Sequence, residues 1–142
     1  MWGIQKPDGV IEGWHGDGNF ARTSLMYVLW KTQGIHAEPW RADLRVGAVR
    51  EGNKVLLSLA ADQPWKGRLL FDKQRHKLNM HLPLDYPRIN QFPEWFTVQA
   101  DARYQVKLGS APPQEKSGTQ LAEGLPVELK AGQTLLIEAR SL

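Results

Sequence analysis

From residue 20 to residue 33 the apolar positions fall at helical spacing. Ala21, Leu25, Val28 and Leu29 recur every three or four residues, which predicts a helix over Phe20–Gln33. Phe20, Met26, Tyr27 and Trp30 occupy the remaining sides, so this helix is apolar over most of its circumference. Asp17 or Asn19 is placed to cap its first turn, and Gly34 to end it in the left-handed region. An all-round apolar helix needs cover on several sides, and one small sheet covers one of them. The pattern therefore places this helix beside more protein than the rest of the chain provides.

After Gly34 the period changes from helical to alternating. Leu44–Val49 and Lys54–Ala60 flank the turn Glu51-Gly52-Asn53. Gly67–Phe71, Trp95–Gln99, Arg103–Leu108, Leu125–Leu129 and Thr134–Ala139 read as further short strands, the last two joined through Lys130-Ala131-Gly132. Short strands with glycine turns and no second long helix predict a mainly β fold: an antiparallel β-sandwich preceded by one α-helix. The expected division is residues 1–39, an N-terminal hairpin turned at Pro7-Asp8-Gly9 followed by the helix, and residues 40–142, the β-sandwich. His81–Glu94, with three prolines, reads as an extended loop, and Ser110–Gly118 as a solvated one.

Composition narrows the chemistry. The chain has 142 residues, 42% hydrophobic and 23% charged, a globular balance of one-domain size. Its net charge of +3 is far below that of a dedicated nucleic-acid binder, and the Gly-aromatic signatures of common RNA and DNA modules are missing. The longest strongly apolar stretch, Leu25–Trp30, is too short to cross a membrane as a helix. Cysteine is absent, which removes disulfides, thiolate catalysis and Cys-ligated metal. None of the four histidines falls at an HExxH spacing, and Asp17-Gly-Asn19 is only half of a calcium loop, so no metal site is read. No GxSxG, Walker or GxGxxG motif occurs, so neither a nucleophile–base pair nor a cofactor is indicated.

Two segments carry candidate binding residues. Trp14, His15, Asp17 and Arg22 cluster at the start of the helix, where free N–H groups favour an anion. Arg22 and His15 could read a uronate or sulfate while Trp14 stacks on a sugar face. Capping by Asp17 and Asn19, with Arg22 paired to Asp17, explains the same residue types without a ligand. The second segment runs from Lys66 to His81, and its stretch Lys66–Lys77 holds five cationic residues against Asp72 alone. Arg75 and His76 lie within it, and the density suits an acidic polysaccharide. A solvated basic sheet edge accounts for it equally well. Trp40, Trp65 and Trp95 sit near strand or loop boundaries, where core burial is the better expectation for each.

The run Trp14–Gln33 resembles the final helix of the (α/α)-toroid catalytic domain of bacterial glycoside hydrolases and polysaccharide lyases. Such domains often continue into a C-terminal β-sandwich, and the blocks Asn79–Phe96 and Val127–Glu138 resemble one. The resemblance implies that this chain is the C-terminal, non-catalytic part of a glycan-degrading enzyme, with its catalytic residues upstream of Met1. It further implies a helical domain as partner, carbohydrate as ligand, self-association when that domain is missing, and a periplasmic or secreted parent. The alternatives are a stand-alone carbohydrate-binding module and a sandwich used only for assembly.

Overall fold

The computed structural model describes residues 19–74, 78, 81 and 95–142, with side chains from Thr23 onward. It opens with α1 (Asn19–Thr32) and continues through β1 (His36–Glu38), β2 (Leu44–Glu51), β3 (Lys54–Ala61), β4 (Trp65–Leu70), β5 (Asp72–Lys73), β6 (Thr97–Val98), β7 (Arg103–Leu108), β8 (Gln114–Ser117), α2 (Gly118–Glu123), β9 (Leu125–Leu129) and β10 (Thr134–Ser141). The larger sheet has the order β2-β3-β10-β7-β8 and the smaller one β1-β4-β9, both antiparallel. The two-residue strands β5 and β6 form a short parallel pair. The expected helix followed by an antiparallel β-sandwich is what the chain forms. The Met1–Trp14 hairpin and most of the His81–Glu94 loop lie outside the described residues.

Alternation builds the core. In β3, Val55, Leu57, Leu59 and Ala61 face inward, and the β3–β10 register sets Leu57 against Ile137 and Val55 against Ala139. The smaller sheet answers with Ala37, Trp65, Leu69, Leu125, Val127 and Leu129 in the same buried cluster. Phe71, Phe96 and Tyr104 close one end in edge-on contacts, with ring centroids 6.3 and 6.2 Å apart, and the Tyr104 hydroxyl accepts from the Gln99 N–H at 3.0 Å. Two hairpins turn at Gly52 (φ 60°) and Gly132 (φ 69°), in the left-handed region that a Cβ disfavours.

Two elements depart from the expected pattern. Ser110–Gly118, read as a loop, supplies the edge strand β8 and the start of α2. Its strand residues are polar and exposed or half-buried, so no apolar alternation marks them. In α2, Ser117 Oγ accepts the Gln120 N–H at 3.2 Å while the Gln120 side chain accepts the Ser117 N–H at 2.9 Å, a reciprocal capping box. The other departure is the start of β4, at Trp65 rather than Gly67; Trp65 itself is 4% exposed, the core position expected of it. Its indole N–H donates to the Pro39 carbonyl at 3.0 Å.

Three of the four outer strands of the two main sheets are guarded. Pro126 on the outermost strand β9 has no N–H to offer, β1 is only three residues long, and β8 carries Glu115 and Lys116. Across the smaller sheet's outer face, Arg68 donates twice to Glu38 (2.8 and 2.6 Å), and Lys66 pairs with Glu128 at 2.5 Å.

A polar staple joins the β1–β2 connection to the β3–β4 loop. Arg41 donates to Asp43 at 2.9 Å and to the carbonyls of Pro64 and Gln63 at 3.1 and 2.9 Å. Asp43 Oδ2 accepts the N–H groups of Asp62 and Gln63 at 3.1 and 3.0 Å. The Arg41 hydrogen bond, followed by that from Gln63, holds the Asp43 carboxyl well below the usual carboxylate range. A carboxyl depressed in the folded state adds stability above its unfolded value of about 3.9, and that stability is lost as pH falls below it. The wild-type chain should therefore lose stability on acidification from about pH 4.5 downward, and Asp43→Asn should flatten that part of the profile. Urea unfolding between pH 3 and 7 checks this; parallel profiles for the two proteins would refute it.

Gly67 gives a second test. A Cβ there would lie 2.3 Å from the Trp65 ring and 2.5 Å from the Glu38 carbonyl. Gly67→Ala should cost about 1–3 kcal/mol through overfilling, measured by chemical denaturation.

Candidate functional site

The outer face of the larger sheet should be polar if it met only water. It is not. Val49, Leu56 and Leu136 stand on it 60%, 36% and 65% exposed. The register explains their grouping. Val49 lies opposite Leu56, and the adjacent row runs Gly47, Ser58, Leu136, with Gly109 N–H bonded to the Leu136 carbonyl at 2.7 Å. Glycine at both ends of that row lowers the floor.

The C-terminal end of α1 forms a wall above this floor. Gln33 (φ 51°) and Gly34 (φ 72°) turn the chain sharply, Gly34 N–H bonds the Leu29 carbonyl at 3.0 Å, and the Gln33 amide donates to the Trp30 carbonyl at 2.9 Å. Ile35, 1% exposed, anchors the turn in the core. Between helix and sheet lies an open groove of about 760 Å³ lined by Trp30, Lys31, Gly47, Val49, Leu56, Ser58, Lys107 and Leu136, among others.

The groove is mostly apolar with a basic rim. Lys31 holds its ammonium 4.6 Å from the Trp30 ring centroid and 5.6 Å from that of Tyr27. Lys107 lies across the strands from Glu138, but the Glu138 carboxylate engages Arg140 at 3.2 Å. Neither Lys31 nor Lys107 has a carboxylate partner among the described residues. Among those residues there is also no group of His, Asp and Glu suited to a metal ion.

The glycan-binding candidates read from the sequence fall almost wholly outside the described residues. Trp14, His15, Asp17, Arg75 and His76 lie outside the described residues, and Arg22 is described only as a backbone position within α1. Two cations of the basic segment, Lys66 and Arg68, are paired to Glu128 and Glu38, which lowers the field that segment can present. Of the three tryptophans, Trp65 is core, Trp95 is half-buried and Trp40 is 72% exposed. The groove was a further feature with a sequence signal of its own: the unbroken apolar pairs Leu56-Leu57 and Leu135-Leu136, which put apolar side chains on both faces of β3 and β10.

Comparison of the chain with models of protein families finds no match, nor does comparison with curated proteins or with solved structures.

Neighbouring residues of β10 should respond in opposite ways to truncation. Leu136→Ser, on the groove floor, should change stability by no more than about 0.5 kcal/mol. Ile137→Ala, one residue on and 2% exposed, should cost about 2–5 kcal/mol. Equal losses in urea denaturation would place Leu136 in the core and remove the groove.

Proposed function

We propose that this chain is the β-sandwich portion of a glycan-degrading protein of the (α/α)-toroid kind, supporting a helical catalytic domain rather than catalysing alone. The observation that carries the reading is the state of α1. No side chain described from Thr23 to Thr32 is buried, although Leu25 is 60% exposed, Val28 49% and Trp30 56%. Leu25 and Val28, three residues apart, share one side of the helix. Each large apolar side chain gains roughly 1.5–3 kcal/mol on burial, so a neighbouring helical layer on this side would be strongly held. The link to glycans comes from the resemblance of Trp14–Gln33 to a terminal toroid helix.

A second reading, carbohydrate binding by the sandwich itself, draws on Trp40, whose 72% exposure leaves a ring face free to stack on a sugar.

In sedimentation velocity the chain alone should self-associate with rising concentration. Leu25→Asp should suppress this with stability kept within about 0.5 kcal/mol, whereas Leu29→Asp, at a half-buried position, should destabilise the fold. The chain alone should not cleave uronate-containing polysaccharides, and the sequence encoded in frame upstream of Met1 should contain helical hairpins. A clean monomer at all concentrations, or turnover by the chain alone, would overturn the proposal.

A further inference from the structure

The groove between α1 and the larger sheet has features that support of a helical domain does not require. Gly47 is the first. It sits in the interior of β2, its backbone is not in the left-handed region, and a Cβ built on it would meet nothing within 4 Å. Glycine there weakens the strand, and neither turn nor close contact among the described residues calls for it. Its effect is to leave the groove floor open for close approach by something else. The second feature is separation of character along the groove: Val49, Leu56 and Leu136 form an aliphatic strip, with Lys107 of β7 at one end of it and Lys31 of α1 at the other, beside β2. Glu138 and Arg50 are the other charged groups lining it, so its balance is cationic. The third is size, about 760 Å³, within the range of small-molecule sites.

We propose that this groove binds a free anionic amphiphile, a single alkyl chain ending in one carboxylate. The chain lies on Leu136, Leu56 and Val49 over the Gly47 floor, and the carboxylate meets the ammonium group of Lys107 at the β7 end of that strip. An uncharged amphiphile would gain the apolar contact alone. A sugar would leave the aliphatic strip covered by hydroxyls with few partners, which costs free energy. The site does not depend on the role proposed for the helix side carrying Leu25 and Val28, and it stands or falls separately.

The test is isothermal titration of the full chain with decanoate, and with 1-decanol as the uncharged control, both below their aggregation limits. Decanoate should bind one to one and about tenfold or more tighter than decanol. Gly47→Val fills the floor at a position that suits a β-branched residue, so its melting temperature should hold or rise while decanoate affinity falls about tenfold or more. Lys107→Glu should weaken decanoate by a similar factor and leave decanol unchanged. If Gly47→Val fails to fold, Leu136→Ser serves in its place, with the same loss expected. No decanoate binding, full binding by the floor variants, or equal affinity for decanoate and decanol would overturn the proposal. So would co-sedimentation with phosphatidylglycerol vesicles in the absence of decanoate binding, which would assign the groove to a membrane surface.

Discussion

The antiparallel pairing of β3 with β10 is the contact on which the rest of the molecule depends. Seven residue pairs hold it in one register, from Thr134 opposite Ala60 to Arg140 opposite Lys54. That register sends Leu57 and Leu59, with Ile137 and Ala139, into the core, and leaves Leu56 and Leu136 on the far side. A slip of one residue would exchange the two faces, exposing the core set and burying the groove set. The hairpins at Gly52 and Gly132 and the flanking strands β2 and β7 all inherit their alignment from this central pair.

Long periodic segments were legible because one local rule decides them. α1 follows from the spacing of Ala21, Leu25, Val28 and Leu29 and from Gly34, and the β2–β3 and β9–β10 hairpins follow from alternation broken by Gly52 and Gly132. β1 and β8 were not legible. Three and four residues long, they exist because a neighbour offers free N–H and C=O groups; β8 carries no alternating signal, and the single inward Ala37 of β1 is too short a run to mark a strand. α2 did have a local sign, Ser117 followed by Gln120, yet it is short and lies beside a run that reads as solvated loop. The site was harder still. Whether Leu56 or Leu57 faces inward is decided by pairing across the sheet, so a groove made from four strands and a helix end cannot be assembled from spacing along one of them. The basic segment shows the converse: Lys66 and Arg68 look like free charge in sequence, but partners thirty or more residues away take them up.

The molecule divides its polar and apolar resources between its two ends. The loops beside β1 are tied by directional bonds, with Arg41 and Asp43 satisfying four backbone groups of the β3–β4 loop. The α1 end is joined mainly by the buried turn at Gln33–Ile35, and its helix carries apolar surface outward. Directional bonds fix one arrangement, whereas apolar surface accepts any partner of suitable shape. Recognition is accordingly expected at the second end.

Pro126 and the short or charged strands β1 and β8 mean that three of the described edges offer no continuous ladder to a stranger's backbone, which leaves the eight-residue β2, with α1 packed beside it, as the fourth. At those three edges, contact with another chain must then be made by side chains, face against face. A backbone ladder propagates with little regard to sequence, whereas a side-chain face is finite and is erased by a single well-chosen charge. Growth of this sandwich by backbone pairing is thereby confined, among the described edges, to β2 beside α1.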